Sequence, residues 1–358
     1  MGLFSEGKGG DSLFRNEDAL NLEFVPKLLP YREFQQKRVA ACIRPLLEGR
    51  SGRNALIHGS PGIGKTAAVQ WVKRELEETS DDIYIAYINC WQKNTTFKVF
   101  EELCQQFDYK FTQNKRTEEL FDIIKQRVNK KAGLFIFDEI DKVDDHDFLY
   151  SILEEIYKKS VILITNYKEW LEDVDERVRS RLMPEIIEFK EYALPEMHGI
   201  LKNRADLALI PNAISDDALA VISNQAFEAK DVRTGMYMLR ESALAAEYAN
   251  VKTIKPEHAK TALEKAKEFF LRHKDDLNED TKQVFDVIAK NSGSKIGDLF
   301  KIYKEIGGFG TYKTFQRKID RLEKGGFITA NKIVGGKDGT TTIVELANKE
   351  KSTTLDKF

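Results

Sequence analysis

The sequence predicts an α/β protein, a mostly parallel sheet covered by helices, continued by an all-helical region and closed by a small α+β module. Three observations carry this. Gly59-Ser60-Pro61-Gly62-Ile63-Gly64-Lys65-Thr66 is a complete phosphate-binding loop set between the apolar run 54–58 and a helical stretch from Thr66 to Glu78. Such a loop has its meaning in a strand–turn–helix context. Strand-like and helix-like stretches alternate from Asn54 to about Phe189, as parallel strands joined by helical crossovers do. From Leu194 to about Phe270 the periodicity is helical throughout.

In order, 54–58, 83–89, 133–138, 160–165 and 185–189 read as strands, and stretches near 66–78, 95–107, 117–130 and 147–158 as helices. Ser215-Asp216-Asp217 and Lys255-Pro256-Glu257 read as helix starts in the later region, by capping residue and by Pro in the first turn. The expected organisation is a loosely ordered segment 1–20, a nucleotide-binding domain 21–192, a helical domain 193–272, a charged linker 273–280, a winged helix 281–347 and a frayed tail 348–358.

The loop brings its own chemistry. Its glycines let backbone N–H groups wrap phosphate oxygens, and the helix that follows adds unpaired donors. Pro61, Gly62, Ile63, Gly64, Lys65, Thr66 and Ala67 are therefore the expected nucleotide contacts. Lys65 reaches the β- and γ-phosphates, and the Thr66 hydroxyl serves Mg²⁺. A second motif agrees. The apolar run 134–137 ends in Asp138-Glu139-Ile140-Asp141. Adjacent carboxylates at the tip of a buried strand are costly unless they face a cation or water. Asp138 suits Mg²⁺, and Glu139 suits polarising the water that attacks the γ-phosphate. The two motifs favour ATP over GTP.

Bulk properties narrow the rest. The chain has 358 residues, 32% of them charged, and a net charge of −2. Any nucleic-acid surface must therefore be local. Cys42, Cys90 and Cys104 lack metal-ligand spacing and read as reduced thiols of a cytoplasmic protein. The longest apolar runs, such as 161–164, are too short to span a bilayer. No signal-peptide core is present, and Glu6 disfavours a myristoylation reading of Met1-Gly2.

The phosphate loop, the 138–141 motif, Ile164-Thr165-Asn166, the run 176–182 (ERVRSRL) and Asp231-Val232-Arg233 follow one another at the intervals of AAA+ ATPases, and the chain resembles that family. More closely, it is similar to the archaeal replication initiators related to the origin recognition complex and its cell-division-cycle partner. The stretch 24–33 (FVPKLLPYRE) resembles that family's adenine-side segment and places Val25 there. The resemblance runs from about Phe24 to Leu346. It implies an AAA+ phosphate-loop domain, a helical lid and a C-terminal winged helix. It implies that Asn166 is a first sensor orienting water, and that Arg233 is a second sensor reaching the γ-phosphate from the lid. Arg181, with Arg177 as second choice, is implied as an arginine finger offered to the ATP of a neighbouring subunit. Tyr192 and Arg204 are implied as lid contacts to nucleotide, although Glu191 stands where the family usually has Pro.

In the C-terminal module three helical stretches, about 281–291, 295–305 and 311–324, precede a hairpin-like pair of strands. On the third, Phe315, Ile319 and Leu322 form an apolar stripe, and Lys313, Arg317, Arg321 and Lys324 a separate basic one. A helix that packs by one face and shows cations on another suits phosphates along a groove. Thr314 is a further candidate contact, and the Gly-rich stretch 335–340 with Lys337 reads as the wing tip. From Lys290 to Ile343 there are 11 Lys or Arg against 5 Asp or Glu. The family also implies a second DNA contact from a helical insertion in the ATPase domain. The corresponding segment here is 110–117, with Lys115 and Arg116 as candidates.

The resemblance thus implies an ATP-dependent initiator that binds double-stranded origin DNA, acts as a slow ATPase switch, and contacts neighbouring subunits and the replicative helicase. Two other readings stay open on the residues. One is a clamp-loader-like or helicase-loading ATPase with a protein-binding C-terminal module. The other is an ATP-dependent promoter-binding regulator.

Overall fold

The computed structural model describes residues 12–272, 279–308, 310–324, 328–333 and 341–346. Two compact units are present, Met1–Leu263 and Glu264–Phe358. Most of the linker expected at 273–280, the wing tip at 335–340 and the tail at 348–358 lie outside the described residues.

The first unit is built on five parallel strands, β1 (Ala55–His58), β2 (Ile83–Asn89), β3 (Ala132–Asp138), β4 (Lys159–Thr165) and β5 (Glu185–Glu188), in the order β2-β3-β4-β1-β5. Every residue of β3 is buried, because helices cover both faces of the sheet. On one face Ile57, Leu134, Ile136, Ile162 and Ile164 pack with Val69 and Val72 of the helix Lys65–Thr79. On the other, Leu56, Phe135, Phe137 and Leu163 pack with Phe100, Leu120 and Phe148. Each large side chain so removed from water contributes roughly 1.5–3 kcal/mol. The three cysteines are free and buried.

The lid helices Leu194–Ala208, Asp216–Glu228 and Val232–Tyr248, with the start of Pro256–Arg272, complete this unit. The two expected starts are present: the Ser215 side chain accepts the N–H of Ala218, and Pro256 opens the last helix. Asp231 also caps its helix, accepting the N–H of Arg233. Among the described residues no helix is long and apolar enough to cross a membrane.

The structure corrects the expectation for the N-terminal segment, of which residues 1–11 lie outside the described residues. Residues 12–20 are packed, not loose. Leu13, Ala19 and Leu20 are buried. Phe14 bridges Leu209, the Ile210 N–H donates to the Leu13 carbonyl, and the Leu13 N–H donates to Glu247. The apolar residues are few, but they fall where the lid offers an apolar surface.

The second unit holds the helices Glu279–Lys290, Ile296–Glu305 and Tyr312–Lys324. An antiparallel sheet of β6 (Ser294–Lys295), β7 (Ile328–Ile333) and β8 (Thr341–Leu346) accompanies them, in the order β6-β8-β7. Three helices with a short strand between the first two and a hairpin after the third make a winged helix. Phe315, Ile319 and Leu322 are buried in its core with Leu299, Tyr303 and Val344.

Because Leu13 is only 1% exposed, Leu13→Ala should destabilise the first unit by about 2–4 kcal/mol in urea unfolding. A loss under about 0.5 kcal/mol would show that the segment does not contribute to the lid core.

Candidate functional site

The strand order places three tips side by side: β3 ends at Asp138, β4 leads to Asn166, and β1 feeds the phosphate loop. All strands run parallel, so these tips meet at one sheet edge, where ligands bind in open α/β folds. A cavity of about 420 Å³ lies there, lined by Pro61, Gly62, Gly64, Lys65, Thr66, Ala67, Tyr87, Asn89, Asp138, Glu139 and Asn166. Ile63 is buried beneath the loop. Gly64, at φ +86°, is the N-cap of the helix Lys65–Thr79, and no side chain caps that helix. Its first N–H groups are thus left for an anion.

Lys65 is buried, and its ammonium donates to the carbonyls of Gly59 and Ser60 at 2.7 and 2.8 Å and to Asn166 Oδ1 at 2.8 Å. The Asn166 amide in turn donates to Glu139 Oε2 at 2.9 Å. Burial pushes Lys65 down to about 8, against the pull of Glu139 and Asp138. Burial raises Glu139, helped by Asp138 and Asp141. A phosphate anion beside such a lysine favours its charged form. Glu139 also takes a left-handed conformation, φ +55°, which is rare and costly for a non-glycine residue.

Asp138 Oδ2 accepts the Thr66 hydroxyl at 2.6 Å and the Tyr87 hydroxyl at 2.7 Å, while Oδ1 accepts the Glu139 N–H. Thr66 and Asp138 therefore set two hard oxygens together at the edge of the cavity. This donor set fits Mg²⁺, which takes few protein ligands and keeps several waters. Tyr87 was not singled out from sequence. An aromatic in a strand reads as core, and its hydroxyl partner is visible only once β2 and β3 are paired.

The opposite wall comes from two separate segments. Leu22, Pro26, Leu28, Leu29 and Pro30 face Ile200, Asn203, Leu207 and Met236 of the lid. A mostly apolar slot of this kind suits a flat base. Val25 does not line it; its carbonyl accepts from Arg74. Tyr192 lines the cavity, but its hydroxyl accepts from Arg32 Nε at 2.9 Å. Arg204 also lines it, and its guanidinium donates to the carbonyls of Ala19 and Phe24. The structure thus uses Arg204 to hold the segment that forms the wall. Arg233 lines the cavity from the lid, paired with Asp231.

Arg32 is a residue that sequence reasoning missed. It is 4% exposed, donates to the carbonyls of Ile63 and Lys190 and to Tyr192, and stacks over the Tyr192 ring at 3.8 Å. One side chain therefore ties the N-terminal segment, the phosphate loop and the stretch 190–192 that leads into the lid together.

Residues 49–172 match the AAA domain model, and residues 198–264 match the Cdc6 AAA+ ATPase-type lid domain. The chain is 30% identical over 349 residues to ORC1-type DNA replication protein 2 of Methanosarcina acetivorans, covering 94% of this chain and 93% of the relative. It is 30% identical over 364 residues to ORC1-type DNA replication protein 1 of Sulfurisphaera tokodaii, covering 95% and 92%. The chain belongs to the ORC1-type DNA replication proteins. Its fold matches that of the Aeropyrum pernix ORC1 protein solved in complex with DNA, with a TM-score of 0.75, 24% identity and coverage of 93% and 94%.

Other candidate residues of this ORC1-type chain lie away from the cavity. Arg181, on the exposed face of the helix Glu176–Leu182, pairs with Glu154 and stacks over Tyr150 at 4.9 Å. It does not line the chain's own pocket. Lys115 lies 3.5 Å from Glu119, and Arg116 is the N-cap of the helix Thr117–Val128. Among the described residues their segment is a loop, not the helical insertion that the family resemblance implied, and it carries an exposed Phe111. In the winged helix Lys313, Thr314 and Arg317 are exposed, with Lys313 and Arg317 opposite the buried stripe. The side chains of Arg321 and Lys324, and all of Lys337, lie outside the described residues.

Arg32→Ala strips the donors from two carbonyls and a buried hydroxyl. It should cost roughly 2–4 kcal/mol in urea unfolding, and Arg32→Lys should recover only part, because an ammonium cannot reproduce the planar fork. A loss under about 0.5 kcal/mol for Arg32→Ala would rule out this stapling role.

Proposed function

We propose that this protein is an ATP-switched initiator of DNA replication that binds duplex origin DNA through its winged helix and helps recruit or load the replicative helicase. One observation carries the reading. A pocket walled by a phosphate loop, paired strand-tip carboxylates and a lid belongs to a chain related almost end to end to ORC1-type replication proteins. The DNA-bound state of the Aeropyrum pernix ORC1 protein, whose fold matches, supports the DNA part, as do the exposed Lys313 and Arg317.

In this reading Lys65 and the loop N–H groups hold the β- and γ-phosphates. Thr66 and Asp138 hold Mg²⁺, which when bound offsets phosphate charge. Glu139 and Asn166, already hydrogen-bonded to each other, orient the attacking water. Arg233 reads the γ-phosphate from the lid, so ATP and ADP favour different lid positions. Arg181, exposed on its helix, is the finger offered to a neighbouring subunit's ATP. Hydrolysis is slow, and the nucleotide acts as a switch.

Lys65→Ala should abolish nucleotide binding in equilibrium titration; retained affinity would overturn the site. Lys313→Ala and Arg317→Ala should each weaken binding to duplex DNA and lower the slope of log affinity against log salt by about 1. Genome-wide mapping tests the function itself. Discrete peaks at replication start sites, lost in the Arg317→Ala plus Arg321→Ala variant, are expected. Peaks scattered over promoters would favour a regulator, and no discrete peaks with ATP binding intact would favour a loader.

A further inference from the structure

The turn that opens the lid helix Val232–Tyr248 carries one carboxylate, Asp231, that bonds Arg233 and packs on the phosphate loop. Asp231 Oδ1 caps the helix by accepting the N–H of Arg233 at 2.8 Å. The same carboxylate takes Arg233 Nε at 3.0 Å on each oxygen and Nη2 at 2.7 Å. Asp231 thus fixes both the backbone and the side chain of Arg233. It engages the Nε/Nη2 edge of the guanidinium. The outer Nη1/Nη2 edge remains able to grip a second anion, because the fork is planar and has five N–H donors. Arg233 lines the nucleotide cavity.

The turn is also anchored to the phosphate loop. Gly62 sits at φ +73°, and a Cβ placed there would lie 2.0 Å from Asp231 Oδ1. The Val232 N–H donates to the Gly62 carbonyl at 3.1 Å. The carboxylate therefore packs directly on the loop, and the position of Arg233 is set relative to the loop itself.

We infer that Asp231 is a positioning residue that sets how strongly the site distinguishes ATP from ADP, by holding Arg233 at a fixed place against the phosphate loop. This rests on the reading of the cavity as a nucleotide site. A γ-phosphate is the group that ATP has and ADP lacks, so an arginine fixed in advance to meet it acts on the ratio of the two affinities. The ion pair is partly exposed, 49% at Arg233 and 23% at Asp231. Pairs of this kind shift an equilibrium by roughly two- to fivefold.

The test is calorimetric titration of the full chain with the imido analogue of ATP and with ADP, both in Mg²⁺. Asp231→Asn keeps a good helix cap and removes the charge; Asp231→Ser, which also caps, serves as a second variant should the first not fold. The ATP-analogue to ADP affinity ratio is expected to fall about two- to fivefold in the Asp231 variants. It should fall further in Arg233→Ala, with no added loss in the double variant. An unchanged ratio, including a parallel loss of both affinities, would overturn the inference while leaving the nucleotide site standing. A ratio that rises would also overturn it, making Asp231 a competitor of the phosphate. A wild-type chain that binds neither nucleotide would sink the nucleotide reading and this inference with it.

Discussion

The site depends on one buried cation. Lys65 is 7% exposed, and a desolvated ammonium must have its donors satisfied by fixed oxygens. The loop carbonyls of Gly59 and Ser60 and the amide of Asn166 supply them. That requirement binds β1 to β4, since Asn166 can reach Lys65 only if the two strand tips lie side by side. It binds β3 as well, because the same amide holds Glu139. Sheet order, loop conformation and the left-handed Glu139 are thus parts of a single electrostatic arrangement.

A second theme is arginine used against backbone. The stretch from Ala19 to Pro30 has little regular structure, yet it forms the apolar wall of the cavity. Its carbonyls need partners, and most come from side chains. Arg204 of the lid takes Ala19 and Phe24; Arg74 and Trp71 of the phosphate-loop helix take Val25, Pro26 and Lys27. The wall is therefore tied both to the nucleotide domain and to the lid. Arg32 adds the link from this segment to the loop. Such bonds satisfy groups that would otherwise be costly to bury, and they let an irregular segment hold a defined surface.

The winged helix solves a different problem. The helix Tyr312–Lys324 buries Phe315, Ile319 and Leu322. That fixes its rotation, and so fixes which way Lys313 and Arg317 face. The apolar stripe orients the basic one. The separation of the two stripes in sequence carries directly into space because both follow the helical repeat.

The sequence by itself determined what depends on local order. The phosphate loop, the five strands, the helix starts at Ser215 and Pro256, and the two stripes of the third C-terminal helix are all set by spacing along the chain. Their chemistry is short-range: glycine conformations, capping, and short apolar runs or helical stripes. Only the tertiary structure decided what long side chains touch. Tyr87 meets Asp138 because β2 pairs with β3, Arg204 holds backbone carbonyls because the N-terminal segment lies over it, and Leu13 is core because the lid lies beneath it. These contacts join residues from 51 to over 230 positions apart. No local pattern encodes such a partner; it is fixed by where burial leaves a donor or an acceptor in need of one.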